Sequence, residues 1–549
     1  MKFKRVTITL VSASIVVVTG LVAMPGTAFA SSRTPNPSHT HSTTLYVATS
    51  GTDTDNSCAE SINPCQTINF ALSKAASGAT ITVQAGTYNE QVKITKPVTI
   101  MGAGASQTVI EPTSVSSTDT DTDSTNPQAY IVDVTDTTGV NLKDIGVNGS
   151  GASSTFSGCG GPDYVGVYYH DASGSMTNDT VTGIELPPID FGCQSGLAVY
   201  ATTDSGSHTP TVLSMSSDNI NNYDKNGITC DDPGTVCNIK NTTVTGIGTT
   251  NLIAQNGIQI WAASVAVTAN VVTGNSYEGT APNNATGMLL LNPYTLSVKN
   301  NQVTHNDTDI WLLQDSPGAA LCGDLSPSCT NPAAAGTTFE ITGNHASDAV
   351  NYENNPVGSE FGDGIDIDSV TQNMTVIHNV VENDPGNGIA LFGTTGVVAQ
   401  RNTVKSDDNG FYLGAGTVGV SANANTLRKN TVSSSSNIGI LLDTQSGGNT
   451  VVHNSSQLNS VLDAQDNSTG IGTAGTGNSW EANDCTTSAP SGLCHTAASV
   501  KTGTAADTSG QGGGARAATR RGHRASSSGG EKAGRTSSTT AVTTGKKRH

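Results

Sequence analysis

The chain has 549 residues, 61 of them glycine, with 13% charged and 4% aromatic residues; this composition excludes a helical bundle or coiled coil and argues against nucleic-acid recognition. Thirteen Lys and Arg stand against 43 Asp and Glu between Ser31 and Ala515, so that body carries a formal charge of about −30, whereas the stretch from Arg516 onward holds nine basic residues and one glutamate. Short strands and turns suit such a body, and the tail is a separate object.

Residues 1–30 read as a secretory signal: Lys2, Lys4 and Arg5 precede an apolar run from Val6 to Met24, and Ala28-Phe29-Ala30 offers the small residues a signal peptidase accepts. The alternative, an uncleaved anchor, meets a run interrupted by Ser and Thr and marginal in length. No second apolar run follows, so a secreted, extracellular protein with no membrane span after cleavage is expected. Residues 31–44 read as a flexible linker. The ten cysteines fall in sequence-near pairs, Cys58 with Cys65, Cys230 with Cys237, Cys322 with Cys329 and Cys485 with Cys494, which leaves Cys159 for Cys193. In an oxidising compartment these are disulfides that pin loops, and the CxxC spacing of a zinc site is missing.

Residues 45–112 are expected to hold an N-terminal cap and the first coils, with Ile68, Ala71, Leu72 and Ala75 at helical spacing across the open end. Residues 113–128 read as an exposed Asp- and Thr-rich loop. Asp119, Asp121 and Asp123 alternate like the opening of a calcium loop, but Ser124 replaces the turn glycine and Tyr130 the bidentate Glu, so no EF-hand is present. Calcium is an optional ligand on this reading, and no cofactor is required.

From 129 to 482 the chain repeats. Each unit opens with a turn and an apolar strand, as in Asn226-Gly227-Ile228, Asn256-Gly257-Ile258, Asn387-Gly388-Ile389 and Asn409-Gly410-Phe411, and ends on Asn-x-Val or a close variant at Asn270, Asn301, Asn344, Asn379, Asn402, Asn430 and Asn454. Asn379 and Asn402 are 23 residues apart, and Asn430 and Asn454 are 24 apart. A unit that short cannot bury its own apolar side chains, but stacked units make one continuous core. The fold class expected is all-β: a single-stranded right-handed parallel β-helix of about a dozen coils, with an N-terminal capping helix and a disordered C-terminal tail. The recurring Asn would form an internal ladder at one corner. Trp480 and a disulfide-bounded cap at 483–496 would close the stack, and 497–549, rich in Gly, Ser, Thr, Arg and Lys, would be a disordered basic tail.

The segment from Thr67 to Gly104, with Gly78-Ala79-Thr80-Ile81-Thr82-Val83, Gly86-Thr87-Tyr88-Asn89-Glu90 and Lys96-Pro97-Val98-Thr99-Ile100, resembles the first coil of the pectin-lyase-like superfamily. With the repeats and the C-terminal cap, the resemblance covers roughly residues 45 to 496 and is greatest to secreted right-handed parallel β-helix repeat proteins, including the NosD-like group. It implies the fold; the superfamily includes lyases, hydrolases, epimerases, tailspikes and adhesins, so activity must come from a site.

Alternation within each first strand places an outward column at Thr229, Gln259, Leu289, Trp311, Asp366, Ala390, Tyr412 and Leu441, and a second two residues further on at Trp261, Leu291, Leu313, Asp368, Phe392, Gly414 and Asp443. Two insertions, about 315–336 and 348–361, would wall this face. Asp363, Asp366 and Asp368 are therefore the expected catalytic group on an open sheet face, and Trp261, Trp311, Phe392, Tyr412 and Arg401 the substrate-binding residues. Outward Asp at i and i+2 have Cα atoms about 6.8 Å apart, suited to protonating a leaving oxygen and activating water. Asp363-Gly364-Ile365-Asp366 resembles the Asp-Gly-Ile-Asp portion of the polygalacturonase motif, which implies an acid or water-activating role for Asp363. Phe361-Gly362, Gly386-Asn387 and Asp408-Asn409-Gly410 depart from the rest of that motif. Arg401 and Arg428, with His378, Lys405, Lys429 and His453, form a mildly basic stripe able to hold a uronate carboxylate; copper handling lacks ligands. The function expected is binding of polysaccharide, acidic glycans included, with cleavage by a hydrolase or lyase route. The alternative is a non-catalytic surface or matrix binding protein. A monomer is expected, with cell-wall association through the basic tail and no nucleic-acid partner, because aromatic interleaving is missing.

Overall fold

A computed structural model describes residues 44–495, apart from 118, 121–126, 205–208, 280–282, 315–337, 351–361, 372 and 417–419. The signal segment, the Cys322 and Cys329 pair, the basic tail and most of both insertions lie outside the described residues. Within them the chain winds through three stacked sheets of 15, 13 and 15 strands. Among the described strands all pairings run parallel except one, in which Asp119–Thr120 lies antiparallel to the start of Pro127–Thr135. The stretch expected to be a plain exposed loop at 113–128 therefore adds a short edge strand to the third sheet.

Each coil contributes one strand to each sheet. In one turn, Val397–Gln400 lies in the first sheet, Thr403–Lys405 in the second and Asn409–Gly414 in the third. Inward residues at every second position form one apolar column, including Ile365, Ile367, Ile389, Leu391, Phe411 and Leu413, all fully buried. Stacking is obligatory because a three-residue strand such as Thr403–Lys405 buries only Val404 by itself.

The corner between the first and second sheets holds the Asn ladder. Asn270, Asn301, Asn344, Asn379, Asn402, Asn430, Asn454 and Asn483 are buried, and each Oδ1 from Asn301 on accepts the backbone N–H and side-chain amide of the Asn one coil before. The residue just before the ladder turns left-handed, with φ of 59° at His378, 55° at Arg401, 56° at Lys429 and 55° at His453. Such a turn strands backbone groups inside the coil, and the side-chain amide satisfies them. Toward the N-terminus the same corner carries Asp179, Asp218 and Thr242, whose side chains and backbone continue the series. The sequence reading missed these rungs because their chemistry differs from Asn-x-Val, which is why the sheets contain more coils than a dozen. A second ladder, Asn425, Asn449 and Asn478, runs at the entrance to the first sheet.

The Asn-Gly-Ile segment, expected as a turn, forms the start of the third-sheet strand, and its glycine is a packing requirement. A Cβ on Gly388 would overlap Val404 Cγ1 and Asp407 Oδ2, and one on Gly410 would overlap Val432 Cγ1. Gly388→Ala is expected to lower unfolding free energy by about 2–3 kcal/mol, read as a lower denaturant midpoint with an unchanged slope.

Both ends are closed. The helix Ile68–Lys74 is capped by Thr67, whose hydroxyl accepts from Phe70 N, while Glu90 accepts from Ile68 N and Asn69 N, and Lys96 Nζ donates to Leu72 O and Ala75 O at the C-terminal end. At the other end Trp480 is 6% exposed and donates from Nε1 to Asp466 Oδ2 at 2.8 Å. Disulfides join Cys58 to Cys65, Cys159 to Cys193, Cys230 to Cys237 and Cys485 to Cys494.

Candidate functional site

The outer face of the third sheet carries two vertical columns of side chains. Strand pairing sets Tyr200, Thr229, Gln259, Leu289, Trp311, Asp366, Ala390, Tyr412 and Leu441 side by side on successive rungs. Two residues further along, Asp231, Trp261, Leu291, Leu313, Asp368, Phe392 and Gly414 do the same. Trp311 is thus the direct neighbour of Asp366, and Phe392 of Asp368. The Phe392 and Tyr412 rings meet at 5.3 Å with an interplanar angle of 48°, and Tyr412 Oη donates to Asp443 Oδ2 at 3.4 Å. The face is more enclosed than an open sheet: Asp366 is 7% and Asp368 3% exposed, with Trp261, Trp311, Phe392 and Tyr412 half-buried. Asp368 ends its strand where the chain past Gly414 returns over it, so that a Cβ on Gly416 would come within 2.6 Å of Asp368 Oδ1. Ser369 Oγ donates to that same oxygen at 2.6 Å.

The expected acidic group divides. Asp363 precedes the strand Ile365–Asp368, lies at a corner with no exposed surface, and accepts from Asn387 N at 2.5 Å and Asn387 Nδ2 at 3.2 Å. These bonds hold it at the corner, outside the strand that carries Asp366 and Asp368. The position on an open face read from the sequence is corrected for Asp363. Trp261 shares the column of Asp368 but sits three rungs away, about 14 Å by strand spacing. Arg401 occupies the left-handed turn between the first and second sheets, exposed, with His378, Lys429 and His453 at the equivalent turn of other coils. The structure does not bring Arg401 to the carboxylates; two separate edges of each coil carry them.

Sequence reading also passed over the N-terminal end of the same face. Lys93 and Asp133 are paired in register and bridge at 3.0 Å, and Asp133 is followed on the next rungs by Tyr168 and Tyr200. Tyr168 stacks on His170 with centroids 5.2 Å apart and on Tyr200 at 5.2 Å. His170 Nε2 lies 2.7 Å from Asp204 Oδ1. The available signal was the alternation in Tyr168-Tyr169-His170, with Tyr169 inward in the core; without an Asn-Gly-Ile turn before it, nothing fixed its register.

Residues 198–404 and 331–488 match the family described as right handed beta helix region, together more than half of the chain. The chain belongs to that family. Its β-helix is similar to the Dettilon tailspike protein at 13% identity, covering 70% of this chain and 62% of that one, with a TM-score of 0.41. It is also similar to the N-terminal fragment of bacteriophage Phi29 gene product 12, at 11% identity over 72% and 65% of the two chains with a TM-score of 0.44. The Azotobacter vinelandii mannuronan C-5 epimerase A-module is 13% identical over 69% of this chain and 86% of that one, with a TM-score of 0.37. The chain spans less than two thirds of the tailspike protein and of the Phi29 fragment. At these values the likenesses describe the coiled fold alone. No curated protein matches the chain.

Proposed function

We propose that this β-helix binds polysaccharide along the outer face of its third sheet, with Asp366 and Asp368 as the acid and base of a hydrolytic site. The observation that carries the reading is the registered placement of Trp311 beside Asp366 and Phe392 beside Asp368. Aromatic faces pack on the apolar faces of sugar rings, and two outward carboxylates about 6.8 Å apart at Cα leave room for a water between them, the arrangement of inverting hydrolysis. One carboxylic acid would protonate the glycosidic oxygen as the bond to the anomeric carbon breaks; the other carboxylate would take a proton from the attacking water. A carboxylate pair on a body of such negative charge favours a neutral glycan over a polyuronate. Arg401 lies off this face, which favours acid/base hydrolysis over a lyase route. A second reading, binding without cleavage, is favoured by the burial of Asp368 beneath the chain at Gly416. The four disulfides support an extracellular setting, where the basic tail would adhere to anionic wall polymers and the protein would work as a monomer without a required cofactor.

The test is a panel of neutral and uronic-acid glycans assayed for retention, for new reducing ends and for unsaturated products. Hydrolysis of a neutral glycan is expected, falling about 100- to 10,000-fold in kcat in Asp366→Asn with retention kept, whereas Trp311→Ala is expected to weaken retention. Undiminished cleavage in Asp366→Asn rejects the site; retention without any cleavage selects the binding reading; no retention rejects both.

A further inference from the structure

The N-terminal end of the outer face holds a donor cluster that the proposed glycan site does not use. His170 closes the strand Asp163–His170, and Asp171 is the left-handed residue that follows it, with φ of 49°. Asp204 comes just after Leu197–Thr202, the strand on the next rung, where Thr202 pairs with His170. One ligand atom from each of the three lies within 4.8 Å of the other two. His170 Nε2 is 2.7 Å from Asp204 Oδ1 and 3.9 Å from Asp171 Oδ2. The residues are 6%, 2% and 5% exposed.

We propose that His170, Asp171 and Asp204 bind one divalent transition-metal ion of the Zn2+ type, tying two successive coils together. Four observations converge. An imidazole nitrogen with two carboxylates is a borderline donor set that suits Zn2+ and its neighbours, whereas Ca2+ and Mg2+ prefer oxygen alone. Two carboxylates beside one imidazole also bring the anionic ligand charge that a divalent cation neutralises on binding. The ligands are held by outer contacts: Asp204 N donates to Asp171 Oδ1 at 3.0 Å, turning Oδ2 toward the imidazole, and the Tyr168 ring lies nearly parallel to it at 23°. Aromatic carbon covers one side of the centre, with Tyr168 stacked on His170 and Tyr200 stacked on Tyr168. On binding, the ion replaces the proton shared between His170 and Asp204, which leaves for solvent, so affinity must fall as the imidazole protonates.

The test uses the full chain stripped with a chelator, followed by calorimetric titration with Zn2+, Ca2+ and Mg2+, metal content after desalting, and the absorption spectrum of the Co2+ form. About one equivalent of Zn2+ is expected at pH 7.5, with weaker binding at pH 5.5 and a raised thermal midpoint. His170→Gln and Asp204→Asn, checked for folding by far-ultraviolet circular dichroism, are each expected to lower affinity about 100-fold or more relative to the intact site. If a variant fails to fold, the Co2+ spectrum of the parent protein decides, since nitrogen ligation is required. No Zn2+ uptake, Ca2+ bound as tightly as Zn2+, an all-oxygen Co2+ spectrum, or unchanged binding in folded His170→Gln overturns the assignment.

Discussion

Asn402→Ala is expected to lower the unfolding free energy by about 3–5 kcal/mol. Asn402 sits in the middle of the ladder: its Oδ1 accepts from Asn379 N at 2.9 Å and Asn379 Nδ2 at 3.0 Å, and its Nδ2 donates to Val376 O at 2.8 Å and Asn430 Oδ1 at 3.0 Å. Truncation deserts Asn379 N, one of the two N–H groups of Asn379 Nδ2 (the other keeps Ile341 O) and Val376 O inside the coil, and each buried unsatisfied group costs about 1–3 kcal/mol before water or relaxation offsets part of it. Thr403→Ala, one residue away on an exposed position, is the control and should stay within about 0.5 kcal/mol. Equilibrium denaturation followed by circular dichroism reads both. A loss under about 1 kcal/mol for Asn402→Ala would mean that the ladder only decorates a stack held by its apolar column. Because a solenoid is stabilised chiefly by nearest-neighbour interfaces, the transition of the variant should also broaden or split as the coils on either side uncouple.

The second large effect is on pH. Behind the Asn-Gly-Ile turns lies a file of buried acids, Asp309, Asp384 and Asp407, none more than 1% exposed. One oxygen of each accepts a hydrogen bond, from Asn306 Nδ2, Ala349 N and Asp384 N respectively, while every Oδ2 is buried without one. Burial, with the neighbouring carboxylates adding to it, holds Asp309 and Asp384 well above the usual carboxylate range and pushes Asp407 up to about 8. A folded-state value above the unfolded one means the native chain binds more protons. That stabilisation is complete below about pH 4 and is lost as pH rises toward 8, at about 1.4 kcal/mol per pH unit for each group still titrating. The thermal midpoint is expected to fall steadily from pH 5 to pH 8. Asp407→Asn should flatten this slope and raise the midpoint at pH 8, because an amide there can donate to Lys405 O as Asn306 Nδ2 donates to Thr304 O at 3.0 Å. A midpoint level or rising across that window, or an unchanged slope in the variant, would show the file ionised and compensated.

These two effects also explain how the sequence was readable. Asn270 through Asn454 announce their corner because an amide that must both give and accept at every rung leaves one residue type, repeated. Asp384 and Asp407 occupy an equivalent inward corner but carry no such signal, since their burial depends on packing against Gly364 and Gly388, almost one coil earlier in the chain. Asp366 and Asp368 kept their expected orientation, because alternation inside a strand is local. Asp363 is fully buried and not on an open face, because it lies at the corner before that strand, where Asn387 on the next coil bonds to it. Tyr168, His170 and Asp204 were invisible as a group: His170 and Asp204 are 34 residues apart, and the coils joining them lack the repeated turn that would have set their register.

Period and composition by themselves determined a stacked parallel solenoid with an Asn corner, a helical cap and sequence-near disulfides, since each of these follows from spacing within one coil or from identity between coils. Which outward side chains become neighbours, how deeply each acid is buried and where a donor cluster forms were decided only by the tertiary structure. The physical reason is that burial and proximity arise from contacts between rungs separated by loops of unequal length, and no local pattern encodes the neighbour across such a gap.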